Sequence, residues 1–268
     1  MSRRFGSMLL LLTAPFASGC AQALNYADAN APRFAGNYAP AVERAPFDRA
    51  LHVVTLNIKF ARRIDLAQKL FDDVEELRQA DVILLQEMDE KGTDALASHL
   101  AMSYVYYPAT VHPRTDRDFG NAVLSRWPIL RDWKVRLPHH GFFDGSQRTA
   151  SCATVKTPVE EVDVCSLHLA TPMELLPRAR HDQVRAVVDS LRATKRVVVG
   201  GDLNSYGLGN LLTGDAFDWP TRDIGGTRSY FSIDHIFTRG FSAQRVGKVR
   251  DTLGATDHAA VWAKLVWR

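Results

Sequence analysis

The sequence predicts an α/β (α+β) fold in which mixed β-sheets carry helices on their outer faces. Stretches with helical apolar spacing alternate with short strand-like runs, which is typical of helices packed on a sheet. Strand pairs joined by short turns are also frequent, and they favour mixed rather than purely parallel sheets. The 268 residues are 46% hydrophobic and 24% charged, which is sufficient for a sizeable core. No second linker interrupts the pattern, so we expect one domain.

The N-terminus has the composition of an export signal. Two arginines precede an apolar run and then small residues, and the run is too short to span a bilayer as a stable anchor. Residues 17–20, Ala-Ser-Gly-Cys, also resemble the bacterial lipobox, which predicts that residues 1–19 are a signal peptide and that Cys20 carries a lipid anchor in a membrane. An ordinary signal peptide cut after Ala21 or Ala23 is the alternative.

Ala21 follows the cysteine, as in signals that sort lipoproteins to the outer membrane. We therefore expect an exported outer-membrane lipoprotein that faces the periplasm or the cell surface, with a soluble periplasmic or secreted protein as the alternative. Residues 20–49 are rich in Ala, Asn and Pro and predict a tether, which leaves residues 50–268 as the domain. Loss of Arg3 and Arg4 takes the formal net charge from +3 to +1, so the whole molecule does not attract polyanions. We expect a monomer.

The first half of the domain alternates strands and helices. Leucines and a valine at helical spacing predict the first helix, and four purely apolar residues predict the strand that follows it. A polar loop then separates this half from the second. The predicted elements are a strand at 51–58, a helix at 64–80, a strand at 82–85, a helix from about 93 to 101, a strand at 104–107 and a loop at 112–118.

The second half contains a hairpin, one long helix and several short strands. Cys152 and Cys165 fall on the two arms of the hairpin, where they could form a disulfide in an oxidising compartment or remain as two buried thiols. The predicted elements are a strand near 129–135, the hairpin of 148–156 and 162–168, a helix at 177–194, and strands at 233–237, 243–249 and 259–266.

Residues 196–204, RVVVGGDLN, form the stretch around which the domain is organised. Strand-forming residues lead to Gly200 and Gly201, which we expect to let the chain turn. In an extended segment Asp202 and Asn204 would point the same way, at the exposed end of a buried strand where ligands often bind. An Asx-type turn is the alternative interpretation.

Further polar residues stand at the ends of predicted strands. Glu87 closes the second strand, where a buried carboxylate requires a cation or hydrogen bonds, and metal ligation is favoured over a salt bridge. The others have ordinary structural explanations when taken singly, as turn formers or hydrogen-bonded core residues. They are Asn57, His168, Asp234, Asp257 and His258.

The order of these motifs resembles the endonuclease/exonuclease/phosphatase superfamily, the deoxyribonuclease-like metal-dependent phosphoesterases. The resemblance runs from residue 51 to the C-terminus. It implies a four-layer sandwich, two mixed β-sheets packed face to face with helices outside, whose strand-end residues meet at one edge. The matching segments are TLNI at Asn57, LLQE at Glu87, GNAVLSRWPI at Asn121, SLHL at His168, GGDLN at Asp202 and Asn204, SIDHIF at Asp234, and TDHAAV at Asp257 and His258.

The resemblance also implies a metal site and a water-activating acid. Glu87 would be a direct ligand of Mg²⁺ or Mn²⁺, with Asn57 and Asp257 nearby, since magnesium uses few carboxylates and keeps its waters. Asp202 would orient or deprotonate the attacking water. Asn204 and Asn57 would donate hydrogen bonds to the scissile phosphate.

The histidines and one arginine complete the implied site. His258 would be protonated and would stabilise the pentacoordinate phosphorus, with Asp234 accepting its other N–H and raising its pKa. His168 would help to protonate the leaving group. Asn121 and Arg148 are further candidates near the phosphate, and a surface salt bridge is the equal alternative for Arg148.

These residues predict a metal-dependent hydrolase that cleaves phosphodiesters by in-line attack of water. Nucleic acid is favoured slightly over phospholipid or sphingomyelin as the substrate, and phosphomonoesters are a further alternative. The WCDR signature of inositol-polyphosphate phosphatases is absent, and His168 replaces the tyrosine usual in abasic-site nucleases. A surface-anchored binding module without catalysis is the alternative from another class, but the presence of Glu87, Asp202 and His258 argues against it.

Overall fold

The computed structural model describes residues 22–40 and 47–268. These residues form thirteen strands and five helices. The strands are β1 Leu24–Asn25, β2 Phe34–Asn37, β3 Ala50–Asn57, β4 Val82–Met88, β5 Ser103–His112, β6 Arg117–Ser125, β7 Ile129–Arg136, β8 Thr149–Lys156, β9 Glu161–His168, β10 Val197–Asp202, β11 Asp234–Arg239, β12 Phe241–Val249 and β13 Ala260–Trp267. The helices are α1 Ile64–Asp73, α2 Glu75–Arg78, α3 Glu90–Leu100, α4 Pro177–Ser190 and α5 Gly209–Gly214.

The strands form two mixed sheets. The larger has eight strands, in the order β1-β5-β6-β4-β3-β13-β12 with β2 also paired to β5, and the smaller has five, in the order β11-β10-β9-β8-β7. The neighbours β3 and β4 are parallel, and so are β9 and β10. The other paired strands in the described part of the chain are antiparallel. The predicted mixture of strand directions is confirmed.

The two sheets pack face to face, and helices cover both outer faces. Aliphatic side chains fill the space between the sheets, including Leu84 and Val123 from the larger sheet and Val164, Val198 and Ile236 from the smaller one. Helices α1, α2 and α3 pack outside the larger sheet, and α4 and α5 pack outside the smaller. The four-layer sandwich is confirmed, and the burial of these apolar faces is the main force that stabilises it.

The single helix predicted at 64–80 is wrong, because the chain breaks it at Val74. Val74 has an extended backbone, with φ −101° and ψ 115°, and separates α1 from α2. Its side chain still packs against the same core as Leu70 and Leu77. The apolar spacing therefore continues through the break and gives no sign of it. The short helix α5 was also absent from the prediction, since it begins and ends with glycine, a poor helix former.

The described part of the predicted tether, residues 22–40, packs on the domain instead of standing away from it. Strands β1 and β2 both pair with β5. The Ala23 N–H donates to the Asp144 carbonyl oxygen at 2.8 Å, and Arg33 pairs with Asp132. This segment covers a sheet edge that would otherwise expose unpaired backbone groups. The predicted signal peptide and Cys20 lie outside the described residues. Within them, no helix is both long and apolar enough to cross a bilayer.

Cys152 and Cys165 lie directly opposite each other on β8 and β9, and they form a disulfide. Of the two alternatives that the sequence leaves open, the structure has the cross-linked one. The bond joins two central strands of the smaller sheet, the second of which ends at His168.

A buried histidine lies in β3, far from the end of the strand that carries Asn57. His52 packs against Trp262 with 5.7 Å between the ring centroids, and its Nε2 has no hydrogen-bond partner among the described residues. Burial, followed by the positive charge of Lys264, lowers the pKa of His52 to about 4. The ring is therefore held in its neutral form.

Replacing His52 with Leu should flatten the acid dependence of folding stability. The unfolded ring takes up a proton near pH 6.5 and the folded ring only near pH 4, so protonation favours the unfolded chain as the pH falls. Between pH 6.5 and pH 4 the free energy of unfolding of the wild type should fall by up to about 3 kcal/mol because of His52. The variant has no ring to protonate at this position, so this contribution to the fall should be absent. Urea unfolding at several pH values measures the difference, with His181→Leu on the exposed face of α4 as the control. An equal acid slope in wild type and His52→Leu would contradict the buried neutral ring.

Candidate active site

The predicted strand-end residues meet at one edge of the sandwich. The parallel pairs β3–β4 and β9–β10 bring their carboxyl ends to this edge, as is usual for ligand sites in such sheets. Asp202 Oδ2 lies 3.1 Å from Asn57 Nδ2, 3.6 Å from His168 Nε2 and 3.9 Å from His258 Nε2. Asn57 Nδ2 also donates to Glu87 Oε1 at 3.0 Å. Residues separated by up to about two hundred positions thus surround one carboxylate.

Glu87 is placed by a local distortion of β4. The pairing with β6 shifts register between Leu85 and Met88, and Glu87 has a left-handed backbone with φ 58°. A non-glycine residue in this conformation carries a cost, and such residues cluster at functional sites. The Glu87 carboxylate accepts hydrogen bonds from Asn57 Nδ2 and from the Phe60 N–H at 3.1 Å. The bulge therefore aims a half-buried acid at the edge where the other site residues lie.

Gly200 and Gly201 do not turn the chain, which corrects the prediction from the sequence. Both lie within β10. A Cβ atom at Gly201 would overlap the carbonyl oxygen of Leu167 in β9, and one at Gly200 would lie 2.8 Å from Leu84 Cδ1 in the facing sheet. Glycine is needed because neighbouring strands approach this backbone closely.

The turn follows Asp202 and has the Asx geometry that was the alternative interpretation. Asp202 Oδ1 accepts the Asn204 N–H at 2.7 Å, and Asn204 has φ 50°. The prediction that the side chains of Asp202 and Asn204 point the same way from one strand is therefore wrong. Asn204 Nδ2 donates to the Leu169 carbonyl oxygen at 3.0 Å, which joins the loops that follow β9 and β10.

Asp202 is a buried acid with an altered affinity for protons. Burial, followed by the negative charge of Asp234, raises the pKa of Asp202 to about 7, and Glu87 acts in the same direction. The charge of His258 and the Asn204 N–H oppose this increase. A carboxylate with this pKa can exchange a proton near neutral pH.

Asp234 and His258 form a hydrogen-bonded pair. His258 Nδ1 lies 3.0 Å from both Asp234 carboxylate oxygens, and the Thr227 hydroxyl donates to Asp234 Oδ2 at 2.6 Å. Burial alone would lower the pKa of His258, but the hydrogen bond and charge of Asp234, with that of Asp202, raise it to about 9. His258 is therefore an imidazolium at neutral pH, as predicted. Thr227 was missed, because its polar contact with Asp234 leaves no pattern in the sequence.

Arg148 binds an acid that the sequence did not reveal as part of the site. Its Nη2 donates to both carboxylate oxygens of Glu174, at 2.8 and 2.9 Å, and its Nη1 lies 3.0 Å from His168 Nδ1. Arg148 is buried and Glu174 is partly buried, so this ion pair differs from the surface salt bridge that was the alternative interpretation, and one fork of the guanidinium is committed to Glu174. Glu174 also accepts the Thr171 N–H at 2.7 Å. The only sequence signal was the capping-box spacing of Thr171 and Glu174.

His168 lies in a different electrostatic environment from His258. Burial, followed by the positive charges of Arg148 and His258, lowers the pKa of His168 well below its ordinary range. The ring is neutral at neutral pH. Its predicted part in proton delivery is therefore restricted to donating an N–H hydrogen bond.

Asn121 joins two strands, and Arg180 supports two loops of the site. Asn121 Nδ2 donates to the Thr149 carbonyl oxygen at 2.5 Å, so its amide group is directed at the backbone of β8. Arg180, which the sequence analysis did not single out, is buried in α4. Its guanidinium donates to the carbonyl oxygens of Ala170, Leu203 and Asn204 at 2.8, 3.1 and 3.0 Å. It fixes the two loops that follow β9 and β10 relative to each other.

Two groups of side chains could hold a metal ion. Asp202, Asp234 and His258 offer ligand atoms within 4.8 Å of one another. However, protonation of His258 and its hydrogen bond to Asp234 oppose coordination by that ring. Glu87 fits a cation better, because it is half-buried and forms no ion pair with any described residue. Among the described residues Asn57 Oδ1 accepts the Lys59 N–H alone, at 3.0 Å, and the exposed Asp257 pairs with Arg228 and Lys59. Glu87 and Asn57, joined by a hydrogen bond, offer the oxygen ligands that hard divalent cations prefer.

Known proteins share this fold and its sequence pattern. Residues 54–258 match the Endonuclease/Exonuclease/phosphatase family. No curated protein sequence is significantly similar to the chain. An endonuclease/exonuclease/phosphatase from Beutenbergia cavernae is 21% identical, with a TM-score of 0.65 over 82% of this chain and 72% of that one. The human Nocturnin catalytic domain with bound sulfate is 15% identical, with a TM-score of 0.64 over 88% and 98%. The mannosyl-6-phosphatase of Bacteroides thetaiotaomicron is 17% identical, with a TM-score of 0.61 over 81% and 100%. At these identities the structural likeness shows the fold alone.

Replacing Asp234 with Asn should lower the pKa of His258. The variant keeps the size of the side chain but removes the negative charge that opposes the effect of burial. We expect the pKa of His258 to fall from about 9 by at least about two pH units. An NMR titration of the imidazole carbons measures it, with His258→Gln used to assign the signal. Thr227→Val, which keeps the carboxylate, serves as the control and should give a smaller change. An unchanged titration in Asp234→Asn would show that another group sets this pKa.

Proposed function

Because the chain belongs to the endonuclease/exonuclease/phosphatase family, we propose that it hydrolyses phosphodiesters with water as the nucleophile and a divalent cation as cofactor. The observation that carries the proposal is the arrangement around Asp202. A buried acid with a pKa of about 7, an imidazolium and a half-buried acid without an ion pair among the described residues lie within one hydrogen-bonded cluster. These are the groups needed to activate water and to stabilise added negative charge on phosphorus.

Glu87, with Asn57 and Asp257, would hold the cation. When bound, Mg²⁺ or Mn²⁺ supplies positive charge that neutralises the phosphate and polarises its P–O bonds. Asn57 has a second task, since its amide group joins Glu87 to Asp202. It fixes the position of Glu87, which would bind the cation, relative to Asp202, which would activate the water.

Asp202 would accept the proton of the attacking water. Its Oδ1 is held by the Asn204 N–H, which leaves Oδ2 directed at Asn57 and the two histidines. A base with a pKa near the working pH combines a useful ionised fraction with sufficient proton affinity. Because both oxygens are held, Oδ1 by the Asn204 N–H and Oδ2 by Asn57 Nδ2, the carboxylate would present a fixed lone pair to a water placed for in-line attack.

His258 and His168 would act on the phosphate in different ways. His258, protonated and held by Asp234, would stabilise the negative oxygens of the pentacoordinate phosphorus. His168, neutral, would donate an N–H hydrogen bond to the leaving oxygen, which would take its proton from solvent water as the P–O bond breaks. Arg148 holds the His168 ring and adds positive charge to this end of the site. Nucleic acids and phospholipids are both diesters that this arrangement could cleave.

Removal of the metal or of Glu87 should abolish most turnover. We expect hydrolysis of bis(p-nitrophenyl) phosphate with Mg²⁺ to stop when EDTA is added and to fall at least about hundredfold in Glu87→Gln. Mn²⁺ binding to the variant, measured by electron paramagnetic resonance, should weaken in parallel. Glu90→Gln, an exposed acid in the next helix, is the matched control. Full activity of Glu87→Gln would remove Glu87 from the proposed cation site. Turnover of p-nitrophenyl phosphate alone would change the assignment to a phosphomonoesterase.

Replacing His258 with Ala should lower kcat while the fold is kept. The loss of an imidazolium that stabilises the transition state should reduce kcat about 10²- to 10⁴-fold. Steady-state kinetics with the same diester and thermal unfolding of both proteins provide the measurements. His181→Ala, on the exposed face of α4, is the control for loss of a histidine. Unchanged turnover in His258→Ala would refute the role given to this residue.

A further inference from the structure

Four large apolar side chains are exposed on two neighbouring loops beside the active site. Phe142 and Phe143 are 63% and 66% exposed, and Met173 and Leu176 are 75% and 63% exposed. The loops contact each other, since the Phe142 N–H donates to the Glu174 carbonyl oxygen at 3.0 Å. We call these four side chains the apolar rim. Grouped exposed side chains of this kind mark surfaces that bind a protein or a membrane.

The apolar rim is firmly connected to the catalytic edge. The Glu174 carboxylate binds Arg148, whose Nη1 lies 3.0 Å from the His168 ring. The loop that carries Phe142 and Phe143 is closed by hydrogen bonds from Gly141 N–H to Ser146 O and from Gly145 N–H to Gly141 O, at 2.9 and 3.0 Å. The four side chains are thus presented by ordered loops next to the residues that would bind the phosphate.

The N-terminal segment reaches the same place. The Ala23 N–H donates to the Asp144 carbonyl oxygen at 2.8 Å, and Asn25 Nδ2 donates to the Gly145 carbonyl oxygen at 2.7 Å. Ala23 follows Cys20, the proposed lipid attachment site, by three residues, which span at most about 11 Å. A lipid on Cys20 would therefore hold the bilayer surface next to Phe142 and Phe143.

We propose that the apolar rim docks on a lipid bilayer and turns the active-site edge towards it, so that phospholipid diesters in that membrane are the substrate. This inference rests on the proposed phosphodiesterase function. The composition of the rim favours lipid over nucleic acid, because Met173 and Leu176 cannot stack on bases and none of the four carries a positive charge. Arg178, exposed two residues after Leu176, forms no ion pair with any described residue and could contact anionic headgroups.

A second exposed pair lies on the loop that precedes β11. Tyr230 and Phe231 are 97% and 71% exposed, and their loop is tied to the site because the Thr227 hydroxyl donates to Asp234. Tyr230, with an apolar ring and a polar hydroxyl, suits the interface between water and lipid, and Phe231 adds apolar surface. The catalytic cluster is therefore connected to exposed apolar side chains through both His168 and Asp234, which suits a site that faces a membrane.

The test compares vesicle binding of two double variants. The exported chain carries Cys20→Ala, so that no lipid contributes, and is floated with vesicles of phosphatidylethanolamine and phosphatidylglycerol. Phe142→Ser with Phe143→Ser should weaken binding about tenfold. The matched control is Leu130→Ser with Val159→Ser, two exposed apolar residues at the opposite end of the smaller sheet, and it should bind like the parent. Thermal unfolding verifies that both variants fold.

The outcomes separate the docking surface from the activity. Vesicle binding that depends on Phe142 and Phe143 supports the surface even if no diester is turned over, in which case only the proposed function fails. Turnover of bis(p-nitrophenyl) phosphate without vesicle binding, or with equal binding by both variants, overturns the surface and leaves the function standing. Binding of a single-stranded oligonucleotide that is lost in the rim variant, with vesicle binding unchanged, overturns the proposal in favour of nucleic acid.

Discussion

The structure depends on keeping the Asp202 carboxylate buried beside the acids Asp234 and Glu87. Burying a charged group is costly unless hydrogen bonds or opposite charges compensate. Here Asn57 Nδ2 and the Asn204 N–H donate to Asp202, and the imidazolium of His258 lies 3.9 Å away. The glycines of β10, the bulge in β4 and the pairing of Asp234 with His258 all serve this arrangement, because each allows a strand end to approach the same point. The remaining excess of negative charge makes the edge a suitable place for a cation.

Much of this edge could be predicted because it depends on local sequence. Strand-end residues such as Asn57, Glu87 and Asp202 follow apolar runs, and parallel neighbours necessarily bring such ends together. The contribution of Glu174 could not be predicted in this way. Its partner Arg148 is 26 residues away, in the loop before β8, and nothing in either local sequence records the contact. Thr227 and Arg180 could not be predicted for the same reason. The Thr227 hydroxyl donates to Asp234, and the Arg180 guanidinium donates to backbone carbonyl oxygens.

The errors in the fold prediction have similar causes. The break at Val74 leaves the apolar spacing intact, so periodicity could not reveal it. The segment before the domain has the composition of a tether, but composition does not report that its backbone can pair with the edge strand β5. That pairing changes the functional interpretation, because it brings the N-terminal chain close to Phe142 and Phe143 instead of letting the domain move freely. The position of this segment is set by backbone hydrogen bonds, which almost any sequence can form.

The Cys152–Cys165 cross-link makes the smaller sheet sensitive to the redox state of its surroundings. A pair of cysteines stays reduced where glutathione and thioredoxin are abundant, and it is oxidised only where those reductants are absent. A chain kept among those reductants would therefore contain two thiols, whereas the cross-linked form is the one seen here. Opening of this single pair is thus expected wherever the surroundings hold a strong thiol reductant.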